Sequence, residues 1–265
     1  FIFINDHGPL VSVIILNHNG LEDTRECLDS LKEMRYPDCE VIVVDNGSID
    51  GSLACLRKRD DIRLVESPCN LGFAGGNNLG VKTARGRYIV LLNNDTVVSP
   101  GWLPELLQTI RKDGVGASYS FEIGYRNRHD PSLHPSPELL KTLRNGTSNL
   151  LGYNIYRVFP DYATSFTGSG FSLIFDRRLI SQPFDDDYFV YYEDIYLCWR
   201  INLLGFRVER AVNSVCYHKG SRTTGSQKAY LVRKAYYCER NRLLNLLLFY
   251  ERETLVKLLP ILLLD

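Results

Sequence analysis

The sequence predicts an α/β fold with a mostly parallel central sheet and helices on both faces. Short apolar runs rich in Val, Ile and Leu alternate, through the first half, with stretches of helical apolar spacing. The runs at 11–16, 40–44 and 87–92 each end in polar Asn or Asp residues. This βαβα order calls for crossover connections, which bring successive strands in parallel.

Each element follows from local chemistry. Residues 11–16 read as a strand. Leu21, Thr24, Leu28 and Leu31 keep helical spacing until Tyr36-Pro37 stops the helix. Residues 40–44 form a strand ending at Asp45, 52–58 a short helix, and 62–65 a strand. Residues 74–84 form a helix closed by Gly86. Residues 87–92 form a buried strand, and 102–111 a helix with Trp102, Leu103, Leu106, Leu107 and Ile110 inward. The polar, Pro- and Asn-containing segment 121–166 reads as an irregular excursion over a cleft. A strand returns at 170–175. A helix at 192–204 turns Leu197, Cys198, Ile201 and Leu204 to one face and is capped by Gly205, and 206–212 form another strand.

Composition narrows the function. Lys+Arg and Asp+Glu are equal at 31 each, so no basic field for nucleic acid exists. Seven cysteines without C-x-x-C spacing suggest neither zinc nor a disulfide framework and favour a reducing compartment. Formal glycosylation acceptors at Asn46 and Asn94 fall on the polar loops described next, where a glycan would obstruct a site; this favours a cytoplasmic location. The start, Phe1-Ile2-Phe3, shows no signal-peptide pattern.

Three strand ends converge. The first leads into Asn17-His18-Asn19-Gly20, the second into Asp45-Asn46-Gly47-Ser48, and the third into Asn93-Asn94-Asp95-Thr96. Each alone reads as an ordinary turn; three on one sheet edge point to a ligand site. Asp45 suits a pyrimidine N–H or a ribose hydroxyl. Asp95, a hard oxygen ligand, suits Mg²⁺ or Mn²⁺ carrying phosphate oxygens. The segment from Asn70 to Gly80 allows close backbone approach and sets Asn77 and Asn78 in the first turns of a helix, where amides favour anions. It fits neither the G-x-G-x-x-G nor the G-x-x-x-x-G-K-[ST] pattern. Glu193-Asp194 opens a helix after an aromatic run, Tyr188, Phe189, Tyr191 and Tyr192. The carboxylates either complement the helix dipole or sit in an aromatic-walled pocket as a general base.

Five ordered motifs carry a resemblance: VSVIILNHN at 11–19, VIVVDNGS at 41–48, NLGFAGGNN at 70–78, LLNNDT at 91–96 and YYEDIYLCWR at 191–200. Over about residues 10–245 the chain resembles the GT-A fold, family 2 inverting glycosyltransferases, in particular the rhamnosyltransferase-like branch. The resemblance implies a GT-A catalytic domain at 1–225, with a nucleotide-binding part at 10–120 and an acceptor and catalytic part at 121–225. It implies that Leu16, Asn17, Asn19 and Asp45 hold the donor's base or ribose. Asn70, Gly72, Asn77, Asn93 and Asn94 line the nucleotide and sugar, Asp95 and His218 bind the divalent metal, and Asp194 beside Glu193 is the catalytic base. The reaction implied moves one sugar, rhamnose in this branch, from a UDP- or dTDP-linked donor to a hydroxyl of a glycan or lipid-linked acceptor in cell-surface polysaccharide synthesis. Lys219 and Arg222 are candidates to neutralise the diphosphate.

Departures from the pattern are Asn93 for the first Asp of Asp-x-Asp, Leu16 for a common Pro, and Tyr196 for a common acidic residue. The Q-x-x-R-W motif of processive members is missing, which favours single-sugar transfer. Two other classes compete: a sugar-1-phosphate nucleotidyltransferase, whose Gly-rich basic loop is lacking after the first strand, and a non-catalytic nucleotide-sugar binding module, suggested by Asn93. Residues 226–265 read as a helical segment, densely apolar but broken by Glu251-Arg252-Glu253, with Lys228, Arg233, Lys234, Arg240 and Arg242 upstream. It suits peripheral contact with an anionic inner leaflet, or packing on the catalytic domain or in a homodimer.

Overall fold

The structure, a computed structural model, describes residues 10–34, 36–158, 163–220 and 227–264. The first half is β1 (Val11–Asn17), α1 (Leu21–Lys32), β2 (Cys39–Asn46), α2 (Ser52–Leu56), β3 (Arg63–Ser67), α3 (Gly72–Thr83) and β4 (Tyr88–Asn93). These strands lie side by side in the order β3-β2-β1-β4, all parallel. The chain winds outward from β1 to β3, then returns to β1's other side as β4. Loops after β1 and β4 therefore diverge, and the crevice between them is where open α/β sheets place ligands.

The second half is β5 (Thr96–Val98), α4 (Trp102–Ile110), β6 (Val115–Gly124), α5 (Pro137–Leu140), β7 (Arg144–Ser148), β8 (Asn154–Val158), β9 (Thr164–Ser165), β10 (Ser172–Asp176), α6 (Glu193–Leu203), β11 (Arg207–His218), α7 (Gln227–Phe249) and α8 (Arg252–Leu262). It extends the sheet as β4-β10-β6-β11-β5, with β10 antiparallel to both neighbours and β6 parallel to β11. The α/β class and the mostly parallel, helix-flanked sheet are as the sequence predicts.

Period-two alternation sorts the core. Val11, Val13 and Ile15 of β1 and Val90 and Leu92 of β4 face α1 and α4, while Ile14, Ile89 and Leu91 face α3 and α6. Gly80 lets α3 lie close, since a Cβ there would fall 2.6 Å from Ile14 Cγ2.

Three expectations are corrected. Segment 121–166 is not wholly irregular: Phe121 and Ile123 belong to the ten-residue β6, and β7 and β8 pair as an antiparallel hairpin. Strand β6 hides from a hydrophobicity reading because Ser118 and Ser120, both fully buried, occupy its middle. Strand β11 runs past residue 212: a register shift between Ala211 and Val215 carries it to His218, opposite Thr96. Leu204 is 53% exposed. Helix α6 ends there, as the Gly205 and Phe206 amides bond back to the Asn202 and Ile201 carbonyls around Gly205 at φ 85°.

Trp102 anchors α4. Its indole N–H donates to Ser120 Oγ and Ser172 Oγ, both at 2.9 Å, and Ser214 Oγ donates to the Trp102 carbonyl at 2.8 Å. Removing the donor strands buried hydroxyls. Trp102→Phe should cost about 2–4 kcal/mol in urea unfolding; a loss below about 0.5 kcal/mol would show that the hydroxyls satisfy one another.

Candidate active site

A cleft of about 540 Å³ opens at the carboxyl ends of β1 and β4. Leu16, Asn19, Asn70, Gly72, Asn93, Asn94, Asp95, Glu193, Asp194 and His218 all line it. Asn17, Asp45 and Asn77 do not; they are 0%, 1% and 2% exposed.

Those three hold loops instead. Asp45 Oδ2 accepts from Asn17 Nδ2 at 2.9 Å, and Asp45 Oδ1 accepts from the Ser48 amide at 3.0 Å. Asn17 Nδ2 also donates to Ser48 Oγ, and Thr24 Oγ1 donates to Asn17 Oδ1 at 2.8 Å. Asn77 Nδ2 donates to the Phe73 carbonyl within α3. The β1 and β2 loops are thus locked together, leaving Asn19 and Asn46 at the cleft wall. Asn46 matters more than its place in the motif suggested. Its amide donates to Asn70 Oδ1 and the Gly72 carbonyl and its oxygen accepts from the Leu71 amide, binding the third loop to β2.

The start of α3 is not open to an anion as expected. The Phe73 and Ala74 amides both donate to the Phe189 carbonyl, at 2.6 and 3.4 Å. Gly72, at φ 73°, permits this approach; a Cβ would press on that oxygen and lie 2.6 Å from Phe189 Cδ2.

At the other end of the cleft, His218 Nε2 lies 3.3 Å from Asp95 Oδ1, and Nδ1 lies 2.7 Å from Glu122 Oε1. The imidazole stacks on Phe171, with centroids 5.2 Å apart. Burial disfavours its charge, but hydrogen bonds to Asp95 and Glu122 outweigh that and raise its pKa to about 9. Sequence reading missed Glu122; only β6 pairing with β11 brings it here. Asp95 and His218 fit a divalent cation as two adjacent hard and borderline donors, with Glu122 orienting the imidazole from behind. Among the described residues no group of three or more His, Cys, Asp or Glu could hold a metal, so a cation here would need substrate oxygens and water to complete its shell.

Glu193 and Asp194 begin α6. Asp194 Oδ2 accepts from the Gly170 amide at 3.0 Å, and Oδ1 from the Ile195 amide at 2.8 Å. Burial raises both carboxyls' pKa values, Glu193 to about 8, and their mutual repulsion adds to the rise at Glu193. Glu193 Oε2 is buried without a partner. The preceding Tyr191 and Tyr192 have φ of 70° and 67°. The left-handed region costs a non-glycine residue about 1–2 kcal/mol. Asp194 also lines a second cavity of about 200 Å³, which shares Ser169 and Phe171 with the cleft and reaches Asn154, Tyr156 and Arg210.

Basic residues are redistributed. Lys219 is not free for a diphosphate: its ammonium pairs with Asp23 at 2.6 Å and Glu26 at 2.5 Å. Arg222 lies outside the described residues. Instead Arg233 and Lys234 of α7 line the cleft, over the rings of Phe189 and Tyr191. In the sequence they looked like part of a basic tail, because nothing local shows that α7 folds back over the cleft.

The sequence profile described as "Glycosyl transferase family 2" matches residues 12–182. The poly-beta-1,6-N-acetyl-D-glucosamine synthase of Staphylococcus epidermidis is 23% identical over 218 residues, covering 81% of this chain and 51% of that protein. The chain spans about half or less of the length of the curated relatives it matches. Among solved structures, the mannosyltransferase PcManGT of Pyrobaculum calidifontis, in complex with GDP-Man and Mn²⁺, superposes with a TM-score of 0.63 at 22% identity, covering 88% of this chain and 64% of that one. GalNAc-T7 with UDP, GalNAc and Mn²⁺ gives 0.66 at 14% identity, covering 81% and 44%. These likenesses establish the GT-A fold.

Glu193 generates a prediction. Folded, it keeps its proton up to about pH 8; unfolded, it loses it near 4.5. The unfolded state binds fewer protons in that window, so stability falls as pH rises from 4.5 to 8. Glu193→Gln should flatten this fall and exceed the parent by roughly 2–4 kcal/mol above its upper limit. Urea unfolding across that range checks it; equal slopes in the two proteins would refute the buried, protonated carboxyl.

Proposed function

The chain belongs to glycosyl transferase family 2, and we propose that it transfers a single sugar, with inversion, from a nucleoside-diphosphate sugar to a hydroxyl of a glycan or lipid-linked acceptor. The observation that carries this reading is the position of Asp194, a half-buried carboxylate that lines two cavities. The larger, with its Asn and Asp rim, suits a nucleotide sugar. The smaller, walled by Phe121, Tyr156 and Phe171 with Asn154 and Arg210, suits a sugar ring. A base between donor and acceptor is what one direct displacement needs.

Asp194 takes the acceptor hydroxyl's proton. The freed oxygen bonds to the donor's anomeric carbon from the face opposite the diphosphate, and the bond to the nucleoside diphosphate breaks with its electron pair. One displacement inverts the configuration. The raised pKa of Asp194 improves it as a base near neutrality, and Gly170 and Ile195 amides keep its oxygens aimed. Asp95 and His218 are the residues to hold Mg²⁺ or Mn²⁺, which when bound stabilises charge on the leaving phosphate. Arg233 and Lys234 add positive charge at the same cleft as Asn93, which stands where the resembled family has the first Asp of Asp-x-Asp.

The donor is proposed to be UDP- or dTDP-linked, with rhamnose as the transferred sugar and cell-surface polysaccharide as the product; the motif resemblance supports this, and the staphylococcal relative supports the product class. The proposed place of action is the cytoplasmic face of the membrane. No described helix is long and apolar enough to cross a membrane. Helix α8 buries no residue, and Val256, Leu259 and Ile261 are each at least half exposed beside Lys257. Protein co-sedimenting with phosphatidylglycerol vesicles, and released by Val256→Glu with Leu259→Glu, is the expected result; a wholly unbound protein would remove the membrane from the proposal.

Thermal unfolding tests the donor site. UDP or dTDP with Mn²⁺ should raise the melting temperature, and Asp95→Ala should abolish the Mn²⁺-dependent part. No shift with UDP, dTDP, GDP or CDP from folded protein would overturn the donor site. Asp194→Asn should keep the nucleotide shift but lower sugar transfer about 10²–10⁴-fold. Shift retained without any transfer by the parent protein would favour the binding-module reading that Asn93 suggests.

A further inference from the structure

The loop that delivers Glu193 and Asp194 is held by helix α7, which the sequence presents as an appendage. Three polar residues on one face of α7 bond to it. Asn241, fully buried, donates through Nδ2 to the carbonyls of Val190 at 3.0 Å and Tyr191 at 2.7 Å. Its own oxygen accepts from Arg240 Nη1 at 2.7 Å, and the same guanidinium nitrogen donates to the Asp187 carbonyl at 2.8 Å. One turn on, fully buried Asn245 accepts from the Tyr188 hydroxyl.

Burying two asparagines in a helix face otherwise lined by Leu246 and Tyr237 costs stability unless their bonds do something an apolar residue would not. What these bonds fix is the backbone at Tyr191 and Tyr192. Two consecutive tyrosines at φ 70° and 67° do not hold that shape by themselves. From the opposite side the Phe189 carbonyl accepts from the Phe73 amide of α3 at 2.6 Å. The loop is thus pinned between the donor-side helix and α7, and α6 starts from the pinned end.

We propose that Asn241 is a positioning residue for the catalytic pair: its amide bridge to Val190 and Tyr191 holds the left-handed turn that aims Asp194 at the junction of the two cavities. This rests on reading Glu193-Asp194 as the catalytic pair. Helix α7 then positions the catalytic pair rather than merely covering it.

The test compares full-length wild type, Asn241→Ala and, should that variant fail to fold, Asn241→Ser. Hydrogen–deuterium exchange of the peptide spanning 187–197 is read first, because it needs no substrate. The expected result is exchange at least tenfold faster in that peptide, with the β1–β4 strands unchanged. Exchange in 187–197 that stays at the wild-type rate overturns the proposal. Turnover is read second, as nucleotide release from UDP-, dTDP- and GDP-linked hexoses with Mn²⁺. The kcat should fall at least tenfold with the donor KM within threefold; a kcat within twofold of wild type overturns the proposal. In a Tyr191→Gly background, where glycine adopts the turn freely, the same Asn241→Ala change should cost less than half as large a factor in kcat. An equal factor in both backgrounds means a merely structural contact and also overturns it. If wild type releases nucleotide from none of these donors, the transferase reading fails, and exchange alone decides the role of Asn241.

Discussion

Desolvation of two adjacent carboxyls governs this molecule's chemistry. Glu193 and Asp194 are adjacent at the start of α6, Glu193 buried and Asp194 half-buried at the meeting of two cavities. Separation from water lifts both pKa values, and the second charge makes the first harder to form. The raised pKa makes Asp194 a stronger base than an ordinary carboxylate, provided the carboxylate is held without being quenched. Two backbone amides, from Gly170 and Ile195, hold Asp194, and among the described residues no cation pairs with it. Positive charge enters the same cleft from Arg233 and Lys234 of α7, over the rings of Phe189 and Tyr191.

The cleft depends on topology. Strand order reverses between β1 and β4, opening the crevice, and the antiparallel β10 brings Gly170 and Phe171 up beside β4. The bulge in β11 then delivers His218 to Asp95 and Glu122. Each is a decision of strand pairing, and together they put Asp95, His218, Glu193 and Asp194 around one cavity. The interlocked Asn17, Asp45, Asn46 and Asn70 side chains make the floor between them stiff, which limits the reorganisation needed when a donor enters.

Much of this was legible in the sequence. Short apolar runs exposed β1, β2 and β4, and their polar ends marked the correct sheet edge. Of thirteen residues singled out for the site, ten line the cleft. Asn17, Asp45 and Asn77 read like the others, because Asn and Asp at strand ends look identical whether they face ligand or brace a loop. Asp45 braces because its partners, Asn17 and Ser48, reach it first. Strand β6 escaped notice because buried Ser118 and Ser120 replaced the apolar signature; Ser120 accepts from Trp102 of the preceding helix α4.

The sequence by itself determined the local terms: the strands and helices from β1 to β4, where α6 is capped, and that Glu193-Asp194 opens it behind an aromatic run. Hydrophobic period, helix caps and backbone preference act over a few residues, so they can be read in order along the chain. Only the tertiary structure decided which polar groups meet. Glu122 and His218 are 96 positions apart, and Asn241 and Tyr191 are 50 apart. A hydrogen bond needs atoms within about 3 Å, a condition that packing of the whole sheet satisfies and that no local pattern encodes.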